Sequence, residues 1–405
     1  MKSRLPKVLH RVLGLPMVEH VVRAAMAAGA DRVVVVASPD NREQMVAALA
    51  HLPEVEVAVQ EEPLGTAHAI LAAKEALSGF AGTGLVLLGD APCIAAASLE
   101  ALLSEHAAQG AKLSVLSGTL DDPHSYGRIV RDEAGAFLRI VEEKNATPAE
   151  KAIQEINSGL FALELPLLWE VLEAVEPNAT TGERYATDAV EISRARELTT
   201  LAISAANDTD VLGVNDRRML AAVTAELRQR ILEEHMDNGV TIVDPQSTFV
   251  DARATIEQDA RLEPFTVIEG PCHIASGAVV GPFARLRAAK LGPEAIVGNF
   301  VEVVRSELGA KSRALHLSYL GDATLGEDVN VGAGTIFANF DGQEKHASTV
   351  AKGASLGSNT VVVGPASLGE RARTGAGAVL VRGEVPAGET WVGVPARALQ
   401  QEEAQ

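Results

Sequence analysis

From Val250 to Leu286 an aliphatic residue stands at every sixth position: Val250, Ile256, Leu262, Ile268, Ile274, Val280, Leu286. A period of six fits neither a helix nor a strand, whose side chains repeat at 3.6 and 2. It fits a chain coiling into a triangular prism, one short strand per side, with one aliphatic side chain turned inward at each corner. Self-similarity at a fixed period marks a solenoid. The ladder resumes as Leu291, Val297, Val303, then Leu308, Ala314, Leu320, then Leu325, Val331, Phe337. After a gap it returns as Val350, Leu356, Val362, Leu368, Thr374, Leu380. The glycines that follow ladder residues, such as Gly298, Gly309 and Gly357, read as tight bends that need a residue without Cβ. The pattern predicts a left-handed parallel β-helix of hexapeptide repeats.

A chain of 405 residues exceeds one ordinary core. Aromatic residues make up only 3% against 47% hydrophobic, which suits a thin prism filled with Val, Ile, Leu and Ala. The formal net charge of −19 argues against nucleic acid or an anionic membrane as partner. Only Cys93 and Cys272 are present, far apart, so a disulfide framework is not expected and a reducing cytoplasm fits. Lys7, His10 and Arg11 interrupt the first apolar stretch, which excludes a signal peptide reading.

Residues 1–215 alternate helix and strand. A helix over Met17–Ala28 leads through Gly29 into Val33–Ala37, and further strands are expected at Val55–Val59, Gly84–Leu88 and Leu113–Leu116. β-Branched runs between helices predict a parallel sheet covered on both faces, in a Rossmann-like domain. Residues 216–239 read as a linker helix ending at Asn238-Gly239, and 240–405 as the β-helix, with a frayed tail at Gln400–Gln405. Between Phe337 and Val350 the ladder skips, so a loop protrudes, and loops on rigid scaffolds commonly carry function.

Asp90 ends the apolar run Leu85-Val-Leu-Leu-Gly-Asp90, at the strand edge where open α/β sheets bind ligands. A carboxylate there can hold Mg²⁺ against a phosphate. Glu62-Pro-Leu-Gly-Thr66 is a glycine turn opening a helix, where bare backbone can approach a base or a phosphate. These join Leu5-Pro-Lys-Val-Leu-His10, Tyr126-Gly-Arg-Ile129, Val141-Glu-Glu-Lys144, Glu155-Ile-Asn-Ser-Gly159 and Gly213-Val-Asn215. With the β-helix, this set resembles the bifunctional N-acetylglucosamine-1-phosphate uridylyltransferase / glucosamine-1-phosphate N-acetyltransferase family over nearly the whole chain. The resemblance implies that Lys7 contacts phosphate, that Gln60, Gly65 and Thr66 read uracil, and that Gly127, Glu142 and Asn157 hold the sugar. It implies Mg²⁺ on Asp90 and Asn215, with UTP and acetyl-CoA as co-substrates. A related sugar-1-phosphate nucleotidylyltransferase with different sugar or acyl specificity is the alternative, as is a chain with only the acetyltransferase active.

The stretch Ala314-Leu-His-Leu-Ser-Tyr-Leu-Gly-Asp322 breaks the hexad rhythm by placing a His and a Tyr on the prism's outside. A neutral imidazole can take a proton from an amine attacking a thioester. By the resemblance, His316 is that base, Arg287, Tyr319, Asn330 and Asn339 contact the acceptor, and Ala333, Ser358 and Ala376 line the acetyl-CoA groove. The family also implies a cytoplasmic homotrimer whose loop 338–349 reaches the adjacent subunit. A β-helix zinc enzyme would need three converging ligands, and His273 stands coils away from His316 and His346.

The chain departs from the family at four places. The family opens with a strand and a loop Leu-x-x-Gly-x-Gly-Thr-Arg-Met, and this sequence starts at Met1 where that motif's final Met falls. The expectation is a natural protein about twenty residues longer, one strand plus one turn. Its rival is a true truncation with a dead first site. Val304, with Arg305 next, replaces a lysine, Phe340 replaces a tyrosine, and Gly393 replaces an arginine, with Arg397 close by. These departures predict acetyl transfer with weakened acceptor binding.

Overall fold

The computed structural model describes residues 1–179 and 181–399; the tail Gln400–Gln405 lies outside the described residues. The chain separates into two compact units, Met1–Glu226 and Leu227–Gln405.

In the first unit, the helix Met17–Ala27 buries Val18, Val21, Val22 and Ala25, the spacing of one helical face. Gly29, at φ 87°, lets the chain turn toward Val33–Ala37. The expected single parallel sheet is corrected to two separate sheets, beside a short antiparallel pair of Arg11–Val12 with Leu15–Pro16. Val33–Ala37 pairs in parallel with Val55–Val59 alone. The second sheet has six strands and is mixed. Its Leu113–Thr119 runs parallel to Thr200–Ser204 and antiparallel to Glu155–Leu165. Gly82–Val86, two residues earlier than expected, also runs antiparallel to Glu155–Leu165.

Glu155–Leu165 escaped the sequence reading because Asn157, Ser158 and Gly159 interrupt its apolar run. Gly159 has φ 77°, and a Cβ there would stand 2.8 Å from Leu88. The strand therefore bends at this glycine, with a register shift between Val115 and Ser117 on its neighbour.

The linker helix Arg217–Asp237 starts where Asp216 accepts the Arg218 and Met219 amides. It stops at Gly239, φ 88°. The second unit then coils as a three-sided β-helix. Every ladder residue is at most 8% exposed. Val250 pairs with Ile268, Ile256 with Ile274 and Leu262 with Val280, an 18-residue coil. From Ile274↔Leu291 to Tyr319↔Ile336 the register tightens to 17 residues, because one side per coil is shortened. Ala288, Arg305 and Asp322 take up that shortening at positive φ.

Two details differ from expectation. The ladder residues sit in the two-residue strands of the sides, as in Phe249–Val250 and Thr255–Ile256, and the corners are carried by residues such as Asp259 and Glu294. Most of the following glycines serve stacking rather than bending. At Gly298 a Cβ would lie 2.1 Å from the Leu315 carbonyl oxygen of the next coil. Buried hydroxyls complete the interior: Thr266, Thr335 and Thr360 each donate to the carbonyl three residues back, at 2.7 Å. These bonds satisfy polar groups that burial would otherwise leave unpaired.

Candidate active sites

In the first unit Lys7 is ion-paired with Asp90 and donates to Asn215 Oδ1 at 3.1 Å. The Val214 amide donates to the Asp90 carbonyl at 2.9 Å, fixing the two oxygen-bearing side chains side by side. Beside them, the Gly213 amide donates to the Tyr126 hydroxyl at 3.1 Å. Burial raises the Tyr126 phenol above its ordinary range, and the nearby Asp90 charge adds to the effect.

Tyr126 leads into the second cluster. The Asn157 amide donates to the Gly127 carbonyl at 2.8 Å, and a Cβ on Gly127 would lie 3.6 Å from Glu142 Oε2. The third cluster forms around Gly65, φ 103°, where a Cβ would stand 2.4 Å from the Arg184 carbonyl oxygen. Gln60 donates to the Gly65 carbonyl at 3.1 Å, and Thr66 Oγ1 accepts the Ala186 amide at 2.8 Å.

Sequence reasoning missed two contributors here. Residues 184–188 tie the Gly65 turn to Asp188, whose carboxyl is raised by burial and by the Glu191 and Glu142 charges. Arg128, only 2% exposed, donates to the Tyr126 carbonyl and to Glu143 at 2.6 Å, bracing the Gly127 turn. The one signal available was an arginine inside an apolar strand. A cavity of about 460 Å³ beside Lys7 is also lined by Lys2, Arg4, Ser38 and Asn41.

Asp90 and Asn215 converge on one cation, the Lys7 ammonium. One carboxylate and one amide oxygen are hard donors of the kind Mg²⁺ takes while keeping places for water and phosphate. The residues therefore fit the ion.

In the second unit His316 and Tyr319 flank the corner at Leu317, φ 50°. The 17-residue register sets His316 against Asn299, with Nδ1 and Oδ1 2.8 Å apart. Ala333, Ser358 and Ala376 continue that line coil by coil: the Gly334 amide donates to the His316 carbonyl, the Asn359 amide to the Ala333 carbonyl and the Gly377 amide to the Ser358 carbonyl. Asn330 lies on the same face, in register with Arg313.

Around the corner, a Cβ on Gly321 would sit 2.7 Å from both the Tyr319 hydroxyl and Asn339 Nδ2, so the structure brings these side chains together. Asn339 donates to Asp322, which also receives the Arg305 fork at 2.7 and 2.8 Å. Chiefly through Arg305, the Asp322 carboxyl is held below its usual range. Arg305 thus occupies the corner on Asp322, while Val304 is fully buried and Arg287 lies 3.8 Å from Glu302.

The protruding loop is a small hairpin. The His346 amide donates to the Asn339 carbonyl at 2.7 Å, and Phe340 bridges Lys345. The Asp341 carboxylate pins it, taking the Gln343 and Glu344 amides, His346 Nε2 at 2.7 Å and Arg382 at 3.3 Å. His273 pairs separately with Thr255 and Glu257. Among the described residues no group of three or more His, Cys, Asp or Glu could hold a metal ion, so the three imidazoles do not build a zinc site.

The nucleotidyl transferase family profile matches residues 2–206. The bifunctional protein GlmU of Pelotomaculum thermopropionicum is 44% identical over 399 residues, covering 90% of this chain and 87% of its own. That of Heliobacterium modesticaldum is 39% identical over 425 aligned positions, covering 96% and 91%. That of Geobacter sulfurreducens is 36% identical over 439, covering 96% and 92%. The chain belongs to the bifunctional protein GlmU family. It is a transferase. The nucleotidyl transferase match falls on the unit that holds Lys7, Asp90 and Asn215, while the GlmU relatives extend across the β-helix that holds His316.

Proposed function

We propose that this protein makes UDP-N-acetylglucosamine in two reactions, one in each unit. One observation carries the reading: the residues nominated for each reaction gather into clusters within a single compact unit.

In the β-helix, the amine of glucosamine-1-phosphate attacks the acetyl-CoA carbonyl, the C–S bond breaks, and His316 takes the amine proton. Tyr319, Asn330, Asn339 and Arg287 hold the acceptor, and Ala333, Ser358 and Ala376 line the thioester groove. The buried Val304 adds no charge for the acceptor phosphate, so acceptor binding is weak.

In the first unit, the phosphate oxygen of N-acetylglucosamine-1-phosphate attacks the α-phosphate of UTP and pyrophosphate leaves. Lys7 offsets phosphate charge; Gln60, Gly65 and Thr66 face the base; Gly127, Glu142 and Asn157 face the sugar. Asp90 and Asn215 would hold Mg²⁺, which supplies charge neutralisation. Catalysis here is positioning and electrostatics.

The protein works as a cytoplasmic homotrimer. Two buried cysteines that are not joined in a disulfide suit a reducing compartment, and among the described residues no helix is long and apolar enough to cross a membrane. Phe265, Phe283, Phe300 and Leu317 form an exposed stripe along one corner, the phenyl rings stacked at 4.7 and 5.2 Å, which favours contact with a second copy. In the trimer the hairpin at 338–349 reaches the neighbouring subunit.

The test supplies purified protein with UTP, Mg²⁺, acetyl-CoA and glucosamine-1-phosphate. The expected products are CoA, pyrophosphate and UDP-N-acetylglucosamine; no CoA release at any acceptor concentration overturns the reading. Acetyl transfer alone is the second reading. The break between the Val33–Ala37 sheet and the Gly82–Val86 sheet favours it, and N-acetylglucosamine-1-phosphate as sole sugar product would establish it.

A further inference from the structure

We infer that Asn299 is a positioning residue for acetyl transfer: it holds His316 by its Nδ1 edge and leaves Nε2 as the proton acceptor. This rests on the proposed role of His316. The two residues are strand partners in adjacent coils, with Asn299 Oδ1 2.8 Å from His316 Nδ1. The Asn299 carbonyl also accepts the Leu317 amide at 3.0 Å. One residue therefore fixes both the imidazole and the corner that carries it.

A carboxamide oxygen accepts only from a protonated Nδ1, which leaves the lone pair on Nε2. When the amine proton arrives at Nε2, the Nδ1–H···O bond remains and strengthens as the ring becomes cationic. Because the amide is neutral, it orients the ring without retaining the proton afterwards, as a carboxylate would.

The surroundings leave this role to Asn299. The strands packed on His316, Ile296–Asn299 and Asn330–Val331, carry no charged side chain, nor does Gly332-Ala-Gly334. Arg313 shares its own strand. Across the corner stand Tyr319 and Glu302, and Glu302 lies 3.5 Å from Arg285 and 3.8 Å from Arg287.

The experiment compares the full-length protein with Asn299→Ala, Asn299→Asp and His316→Ala, measuring acetyl transfer to glucosamine-1-phosphate across pH. Thermal unfolding checks each fold, and the isosteric Asn299→Asp carries the test alone should Asn299→Ala not fold. His316→Ala should lose about 10²–10⁴-fold in kcat. Asn299→Ala should lose about 10–100-fold in kcat, in line with removal of partners that orient a histidine, with KM little changed. Asn299→Asp should move the acid limb of the pH–rate profile upward by about one unit. If His316→Ala retains acetyl transfer, the proposed function of this site fails. If His316→Ala is inactive while both Asn299 variants match the parent in kcat and pH profile, the positioning role is wrong and that function stands.

Discussion

The β-helix and the N-terminal unit encode their shapes in different ways. In the β-helix each coil pairs only with the coils beside it, 17 or 18 residues away over most of its length. A period in the sequence therefore becomes a stack of buried side chains directly. In the N-terminal unit the central strand Glu155–Leu165 pairs with Gly82–Val86 and Leu113–Thr119 across long stretches of chain. No local pattern announces such a pairing. The functional groups differ in the same way: those of the β-helix stand where the period breaks, and those of the N-terminal unit stand where distant loops meet.

Breaking the ladder should have the largest effect. Val303 is fully buried inside the prism, and Val303→Asp would place a carboxylate there without a partner. The expected cost is about 3–5 kcal/mol, seen as early melting of the β-helix in a thermal scan while the N-terminal unit melts as before. Simultaneous loss of both transitions would mean the units are not independent.

Gly298→Ala should cost less, about 1–3 kcal/mol, as expected for overpacking. The new methyl would press on the Leu315 carbonyl oxygen at 2.1 Å. An unchanged denaturation midpoint would contradict the assignment of this glycine to coil stacking.

Asp341 sets the smallest effect. Its carboxyl is depressed, first by the Glu344 amide and then by His346. A depressed carboxyl contributes hairpin stability that is complete above the unfolded value of about 4. That contribution is lost as pH falls through the lower, folded value. Hydrogen exchange of residues 340–346 should therefore be insensitive to pH beyond the intrinsic rate above about pH 5, and Asp341→Asn should speed it with the melting midpoint unchanged. Equal exchange in both proteins would remove Asp341 as the pin.

Much of the β-helix was legible in the sequence, down to each ladder residue, because burial repeats with the coil. The roles of its side-chain partners were less so. Asn299 and His316, or Arg305 and Asp322, become neighbours only once the coil length is known to be 17. The parallel sheet expected in the N-terminal unit was wrong because a polar Asn157-Ser158-Gly159 hid its central strand. The same fold-back hid Arg128 and residues 184–188, whose partners lie in other elements. Lys7, Asp90 and Asn215, by contrast, were nominated by resemblance and meet in the structure.

The two reactions belong to two separate sites, and one crossed assay tests this. Asp90→Asn and His316→Ala proteins are each given the full substrate mixture, then N-acetylglucosamine-1-phosphate with UTP and Mg²⁺. Asp90→Asn should release CoA at the parent rate and accumulate N-acetylglucosamine-1-phosphate. His316→Ala should release no CoA yet form UDP-N-acetylglucosamine when given the acetylated sugar. Loss of both reactions on either single substitution, with the fold intact, would contradict it.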